Sequence, residues 1–159
     1  MVTEGEKFDR LPLRGKFEYL ENRFCLERPE LASDVLSINA ARNCLAHRGG
    51  VVGRQDLRTA TDDGLTVSWR KVEIRIRGVS GERVITKPAR VEKGELVSME
   101  FTPTNRTFEL GEKIDLSVSD YVDIATTLML SGQQLEGSIL KIQQRRYDEQ
   151  QAKKSTQSK

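Results

Sequence analysis

The apolar residues of this chain change period twice, and that change restricts its fold more than any single residue does. Up to about residue 48 they recur at helical intervals, from Gly64 to Ser117 they alternate in twos, and beyond Ser117 the helical interval returns. At 159 residues the chain has the length of one domain with a modest core. The pattern predicts an α+β domain of about three helices, with a small antiparallel β-sheet inserted between the second helix and the last.

Phe17, Leu20 and Phe24 mark a short amphipathic helix within 13–26. Pro29 suits the first turn of the next helix, Glu30 and Asp34 favour its N-terminal dipole, and Leu31, Val35, Ile38, Ala41 and Leu45 form its apolar stripe. Gly49-Gly50 ends it, because glycine adopts the left-handed conformation that closes a helix, so His47 falls in or near the last turn. The helical part carrying this segment covers 13–53.

In the β-rich stretch 64–117, Leu65, Val67 and Trp69 alternate in one phase and Val72, Ile74 and Ile76 in the other. This predicts a bulge or turn near Arg70 and Lys71. Pro88 and Pro103 donate no ladder hydrogen bond and belong at edges or in loops. Trp69 shares its phase with Leu65 and Val67 and is expected in the core. Ser117 or Ser119 can cap a long last helix, 118–147, whose stripe includes Tyr121, Ile124, Leu128, Leu135 and Ile142. Gly132 and Gly137 weaken that helix and suggest a kink or a close helix contact. The polar stretch 148–159 reads as a disordered tail.

The hydrophobic fraction of 36% is low and the charged fraction of 31% high, so much of the chain is solvated and a partner surface is expected to supply part of the core. A net charge of +2 does not by itself mark a nucleic-acid binder. No apolar run has the length of a signal-peptide core or a membrane span, which points to the cytoplasm and away from membranes. Cys25 and Cys44 sit on helical patterns among apolar residues and are expected as free, buried thiols. Cys44 and His47 have a Cys-x-x-His spacing, but a structural zinc site needs four ligands, so neither metal nor cofactor is expected.

His47 is the single histidine, and imidazole is the side chain whose ordinary pKa lies near neutrality. On a helix Asn39, Asn43 and His47 form a polar ridge, and Arg42 sits beside it with a side chain long enough to reach over it, so asparagine, arginine and histidine are expected to converge. The run Ile38-Asn39-Ala40-Ala41-Arg42-Asn43-Cys44-Leu45-Ala46-His47-Arg48-Gly49-Gly50-Val51-Val52 resembles the signature of the HEPN family: arginine, a polar residue, a short spacer and histidine at the C-terminal end of a helix. The four-residue spacer between Arg42 and His47 falls within that family's usual four to six. The resemblance implies a helical bundle that dimerises with the two motifs facing each other, and in many members a metal-independent endoribonuclease of the toxin or phage-defence kind. It implies Arg42 and His47 as catalytic residues, Asn43 as their polar companion, and a cognate antitoxin or defence partner as a possible associate. With fewer helices than the usual four or more, the chain is expected to be a divergent or N-terminally shortened member.

The residues support the same chemistry independently. RNA cleavage by its own 2′-hydroxyl needs a base, an acid and a cation for the phosphorane charge. One histidine supplies one proton-transfer group, so a second chain must bring another His47 and Arg42 into the same cleft. The other reading is structural, since a helix-terminal histidine also serves the helix dipole and an adjacent arginine also pairs with an acid. Arg48, Arg54 and Arg58 lie near the motif, and from Gly64 to Gly94 eight basic residues meet three acidic ones. Lys71, Arg75 and Arg77 share one side of a strand, and with Arg48 and Arg54 form the expected RNA contacts. The same strand face serves equally as a solvated edge guarded by charge. A non-catalytic HEPN-like RNA-binding or protein-interaction module, and a small structural protein whose sheet docks a larger partner, stand beside the ribonuclease reading.

Overall fold

The computed structural model describes residues 4–59, 61–79, 81–85 and 88–157. Among them the order is α1 (Glu4–Asp9), α2 (Leu13–Phe24), α3 (Ala32–Arg48), a 3₁₀ turn (Arg54–Asp56), β1 (Gly64–Gly78), β2 (Gly81–Val84), β3 (Leu96–Glu109) and α4 (Val118–Gln157). The chain is a mixed α+β protein with four helices and a three-stranded antiparallel sheet ordered β2-β1-β3. That is one helix more than the sequence suggests. The extra one, α1, is six residues long and offers too few turns for a legible stripe.

The core joins α3 to the sheet. Ile38, Ala41 and Cys44 of α3 pack against Leu65, Val67 and Trp69 of β1 and Phe108 of β3, with Val52, Ile114 and Ile124 of α4 closing the cluster. Trp69 is buried, as its phase requires. The β segment between α3 and α4 thus supplies one of the two walls of the core.

Several expectations need correction. No bulge interrupts β1 at Arg70 and Lys71, because the register with β3 runs unbroken from Gly64↔Glu109 to Arg77↔Leu96. The change of phase arises because the two halves of one strand use opposite faces. Leu65, Val67 and Trp69 face α3, while Val72, Ile74 and Ile76 lie on the reverse face beside their β3 partners Phe101, Met99 and Val97. Helix α3 starts at Ala32 rather than Pro29, whose carbonyl instead accepts the Ala32 N–H in the preceding turn. Helix α4 runs on to Gln157, so the stretch read as a disordered tail is helical there, in keeping with its Glu, Gln, Ala and Lys content. A Cβ on Gly132 or Gly137 would meet nothing, which removes the expected close helix contact. Cys25 is exposed, because it ends α2 in the left-handed conformation with φ 52° and its side chain leaves the packed side of the helix.

Strand β2 pairs only with residues 75–78 of β1, which leaves the upstream edge of β1 without a strand neighbour. Helix side chains take that place. Ser37 Oγ accepts the Ser68 N–H at 2.8 Å, Thr127 Oγ1 accepts the Arg70 N–H at 2.8 Å, and Asp123 Oδ1 accepts the Val72 N–H at 3.1 Å. Since Arg70 donates away from β3, its partner Pro103 also points its ring nitrogen to the free edge, where a missing N–H costs no ladder bond. Ser117 and Asp120 cap α4 reciprocally: Ser117 Oγ accepts the Asp120 N–H at 3.2 Å and Asp120 accepts the Ser117 N–H at 2.8 Å.

Thr127→Val keeps the shape of a fully buried side chain and deletes the acceptor for the Arg70 N–H. It should cost about 1–3 kcal/mol in denaturant unfolding. The half-buried Thr126→Val, which frees no buried donor, should stay within about 0.5 kcal/mol of wild type.

Candidate functional site

Helix α3 ends as its sequence requires. Gly49 and Gly50 have φ 60° and 82°, the Gly49 N–H returns to the Cys44 carbonyl, and the chain then pairs Val51 with Lys113. The Val52 N–H bonds the Glu112 carbonyl at 2.9 Å and the Ile114 N–H bonds the Gly50 carbonyl at 2.8 Å. The C-terminal turn of α3 is thus fixed to the segment between β3 and α4.

On this helix end Ala41 and Cys44 point inward, whereas Arg42, Ala46 and His47 are exposed and Asn43 is half-buried. At 100° per residue, Arg42, Ala46, Asn43 and His47 occupy in that order an outward arc of about 140°. Arg42 and His47 mark its two margins. Arg42 Nη1 donates to Asn43 Oδ1 at 3.2 Å, and among the described residues no hydrogen bond or ion pair holds His47. One chain therefore brings Arg42 to Asn43 and does not bring Arg42 to His47.

Asn43 and His47 line a groove of about 420 Å³ with Asn39, Arg48, Gln55 and Asp56. The amide ridge read from the sequence is present there. Arg42 lies outside it, on the other margin of the arc. Arg48 is committed to Asp56: its Nε donates to Oδ2 at 3.0 Å and its Nη2 meets Oδ1. Asp56 also accepts the Gly53 N–H at 2.9 Å, so a buried carboxylate ties the loop after α3 to the helix end. The Cys44 thiol beneath donates to the Val51 carbonyl at 3.3 Å; burial pushes its pKa up, with the Asp56 carboxylate adding to the shift. It stays a protonated thiol and is no nucleophile at neutral pH.

Arg54 is exposed beside the groove, and no ion pair to it is formed among the described residues. The strand cations are balanced. Lys71 pairs with Glu73 at 3.1 Å, Arg75 with Glu73, Glu82 and Glu100 at 3.0, 3.2 and 3.0 Å, and Arg77 with Glu82 at 3.0 Å. Hydrogen bonds from Lys71 and Arg75 hold Glu73 below the usual carboxylate range, and those from Arg77 and Arg75 do the same for Glu82. At neutral pH that face presents paired charge, and it is separate from the groove at His47. Among the described residues no group of three or more His, Cys, Asp or Glu side chains could hold a metal ion, and no helix is long and apolar enough to cross a membrane.

Asp56 and Gln55 escape a reading by helical spacing because they reach the groove from a separate loop. The usable signal was an acid three residues after Gly53, the spacing of a side chain that turns back onto a backbone N–H. Comparison with protein-family models, characterised proteins and solved structures found no match.

The Asp56 side chain is 2% exposed and that of Arg48 25%, so removing the carboxylate strands both the guanidinium and the Gly53 N–H. Asp56→Ala should lower stability by about 3 kcal/mol. Thermal unfolding with the Arg48→Met, Asp56→Ala pair should show much of that loss recovered.

Proposed function

We propose that this protein is a metal-independent endoribonuclease of the HEPN toxin or phage-defence type, acting on RNA at a site built by two copies. The observation that supports this most is the Arg42-Asn43-His47 arc on the end of α3, whose exposed histidine and arginine form no bond to the rest of the fold among the described residues beyond that of Arg42 to Asn43. Structural duties around them fall to Cys44, Arg48 and Asp56. A histidine serving the fold would be packed or bonded, and among the described residues this one is exposed and bonded to none.

In this reading His47 of one copy takes the proton of the attacking 2′-hydroxyl, and the second copy's imidazole protonates the departing 5′-oxygen. Arg42 stabilises the charge on the phosphorane and Asn43 orients Arg42 through the bond already formed. Because Arg42 and His47 sit at opposite margins of one arc, an antiparallel pair of α3 helices brings the arginine of each copy toward the histidine of the other. Leu45 and Val51, 36% and 46% exposed beside the arc, and Val118, Val122 and Met129 on the open side of α4 offer apolar surface for such a contact.

A non-catalytic HEPN-like module has one observation in its favour. Val97, Met99 and Phe101 project from the same sheet face as Val72, Ile74 and Ile76 and are 53%, 60% and 38% exposed, which suits a protein-interaction surface.

Cleavage of single-stranded RNA in EDTA decides between them. Wild type should yield 2′,3′-cyclic phosphate ends, and Arg42→Ala and His47→Ala should each lower the rate at least about 100-fold with unchanged circular dichroism. Specific activity should fall on dilution as the dimer dissociates. Strict dependence on magnesium, or a concentration-independent monomeric activity, would overturn the mechanism.

A further inference from the structure

The groove at His47 does not end at Asn39. Leu36, Asn39, Ala40, Gln55 and Asp56 also line a second and larger cleft of about 840 Å³, which opens between α3, the start of α2 and the loop that leads into β1. Asn39 lies eight residues before His47, about 12 Å along the helix axis. That is too far for the phosphate under attack and within reach of the same strand.

This cleft offers three kinds of group. Its floor is aliphatic, with Leu36, Leu57 and Leu65. Two exposed guanidiniums, Arg14 and Arg58, stand on it, and neither forms an ion pair with a carboxylate among the described residues; Arg58 reaches only the Ser33 carbonyl, at 3.4 Å. Its carboxylates are in different states. Asp56 is taken by Arg48, and Asp62 by the Thr59 hydroxyl at 2.7 Å and the Thr59 N–H at 3.0 Å. The Asp63 carboxylate is exposed and accepts no hydrogen bond among the described residues.

We propose that this cleft is a nucleotide subsite: it seats one base of a single-stranded RNA next to the bond at His47 and prefers a base carrying an exocyclic amine. The inference rests on the ribonuclease reading for what happens at His47, and on the cleft itself for the rest. The base stacks on the aliphatic floor, Asp63 accepts from its amino group, the Asn39 and Gln55 amides supply both donors and acceptors to its edge, and Arg14 and Arg58 meet the flanking phosphates. Uracil has no amine to donate and leaves Asp63 without a partner. The two cations are matched in number by the Asp62 and Asp63 carboxylates, since the bonds from Thr59 leave Asp62 charged, so the site is selective rather than strongly electrostatic and the salt dependence of binding is shallow.

The test uses the full chain carrying His47→Ala, so that binding is read without cleavage, and fluorescence anisotropy with short single-stranded oligo(A), oligo(C) and oligo(U). Oligo(A) or oligo(C) should bind at least about 10-fold tighter than oligo(U). Asp63→Asn should erase that preference, with oligo(U) binding no weaker than before, because the amide carries no charge to repel phosphate and can donate to a uracil carbonyl. Arg58→Gln should weaken all three and reduce the salt slope by about 0.7. Equal binding of the three oligomers, or indifference to both substitutions, overturns the subsite. If wild type cleaves no RNA while the ranking and both substitution effects hold, the subsite stands and the catalytic reading falls; if cleavage persists while Arg58 and Asp63 are without effect, the reverse follows.

Discussion

Three backbone N–H groups on the open edge of β1, those of Ser68, Arg70 and Val72, determine where the helices go. A buried amide without a partner costs about as much as a lost hydrogen bond, and among the described residues no strand lies beside this part of the edge. Ser37 of α3 and Asp123 and Thr127 of α4 accept them. Each is buried, so the strand edge, the two longest helices and the core cluster form one unit. An edge closed in this way is also shielded from pairing with a stranger's strand, whereas the opposite edge on β3 is protected by Pro103.

With α3 held from its first half by Ser37 and its apolar stripe, and at its end by the glycine turn, the remaining arc of its last turns faces solvent. The Arg48–Asp56 pair stiffens this end and keeps the loop from folding over it. Rigidity and exposure together suit the site we propose, completed from outside: the positions of Arg42 and His47 are set by the fold, while no described residue supplies either with a reacting partner. The charge on the β1 face is balanced, so in the ribonuclease reading we propose, the helix end rather than the sheet is the surface offered to an RNA backbone.

Much of the fold was legible because short-range rules govern it. The helix stop at Gly49-Gly50, the cap at Ser117, the burial of Trp69 and the edge position of Pro103 each follow from one residue's own geometry or phase. The phase switch in β1 was legible too, but its cause was not: a bulge and a change of covered face leave the same sequence pattern. Long-range polar pairings were hidden. Nothing in the spacing joins Thr127 to Arg70, Asp56 to Arg48, or Arg75 to Glu100, since these contacts exist only once helix has met sheet, loop has met helix and strand has met strand. For the same reason the candidate motif could be read from Arg42, Asn43 and His47, while its continuation toward Arg14, Arg58 and Asp63 could not.

In the proposed assembly the α3 arcs of two copies face each other, and a crosslink at the middle of that arc reports whether they do. Ala46 lies between Arg42 and Asn43 on the arc and is exposed. In a Cys25→Ser, Ala46→Cys protein the introduced thiol would be the reactive one, because Cys44 is buried. Two helices in contact lie about 8–10 Å apart, so a short bifunctional maleimide should convert most of the protein to a covalent dimer that still binds RNA. A thiol that reacts with monofunctional maleimide but yields no covalent dimer at any protein concentration would contradict the account.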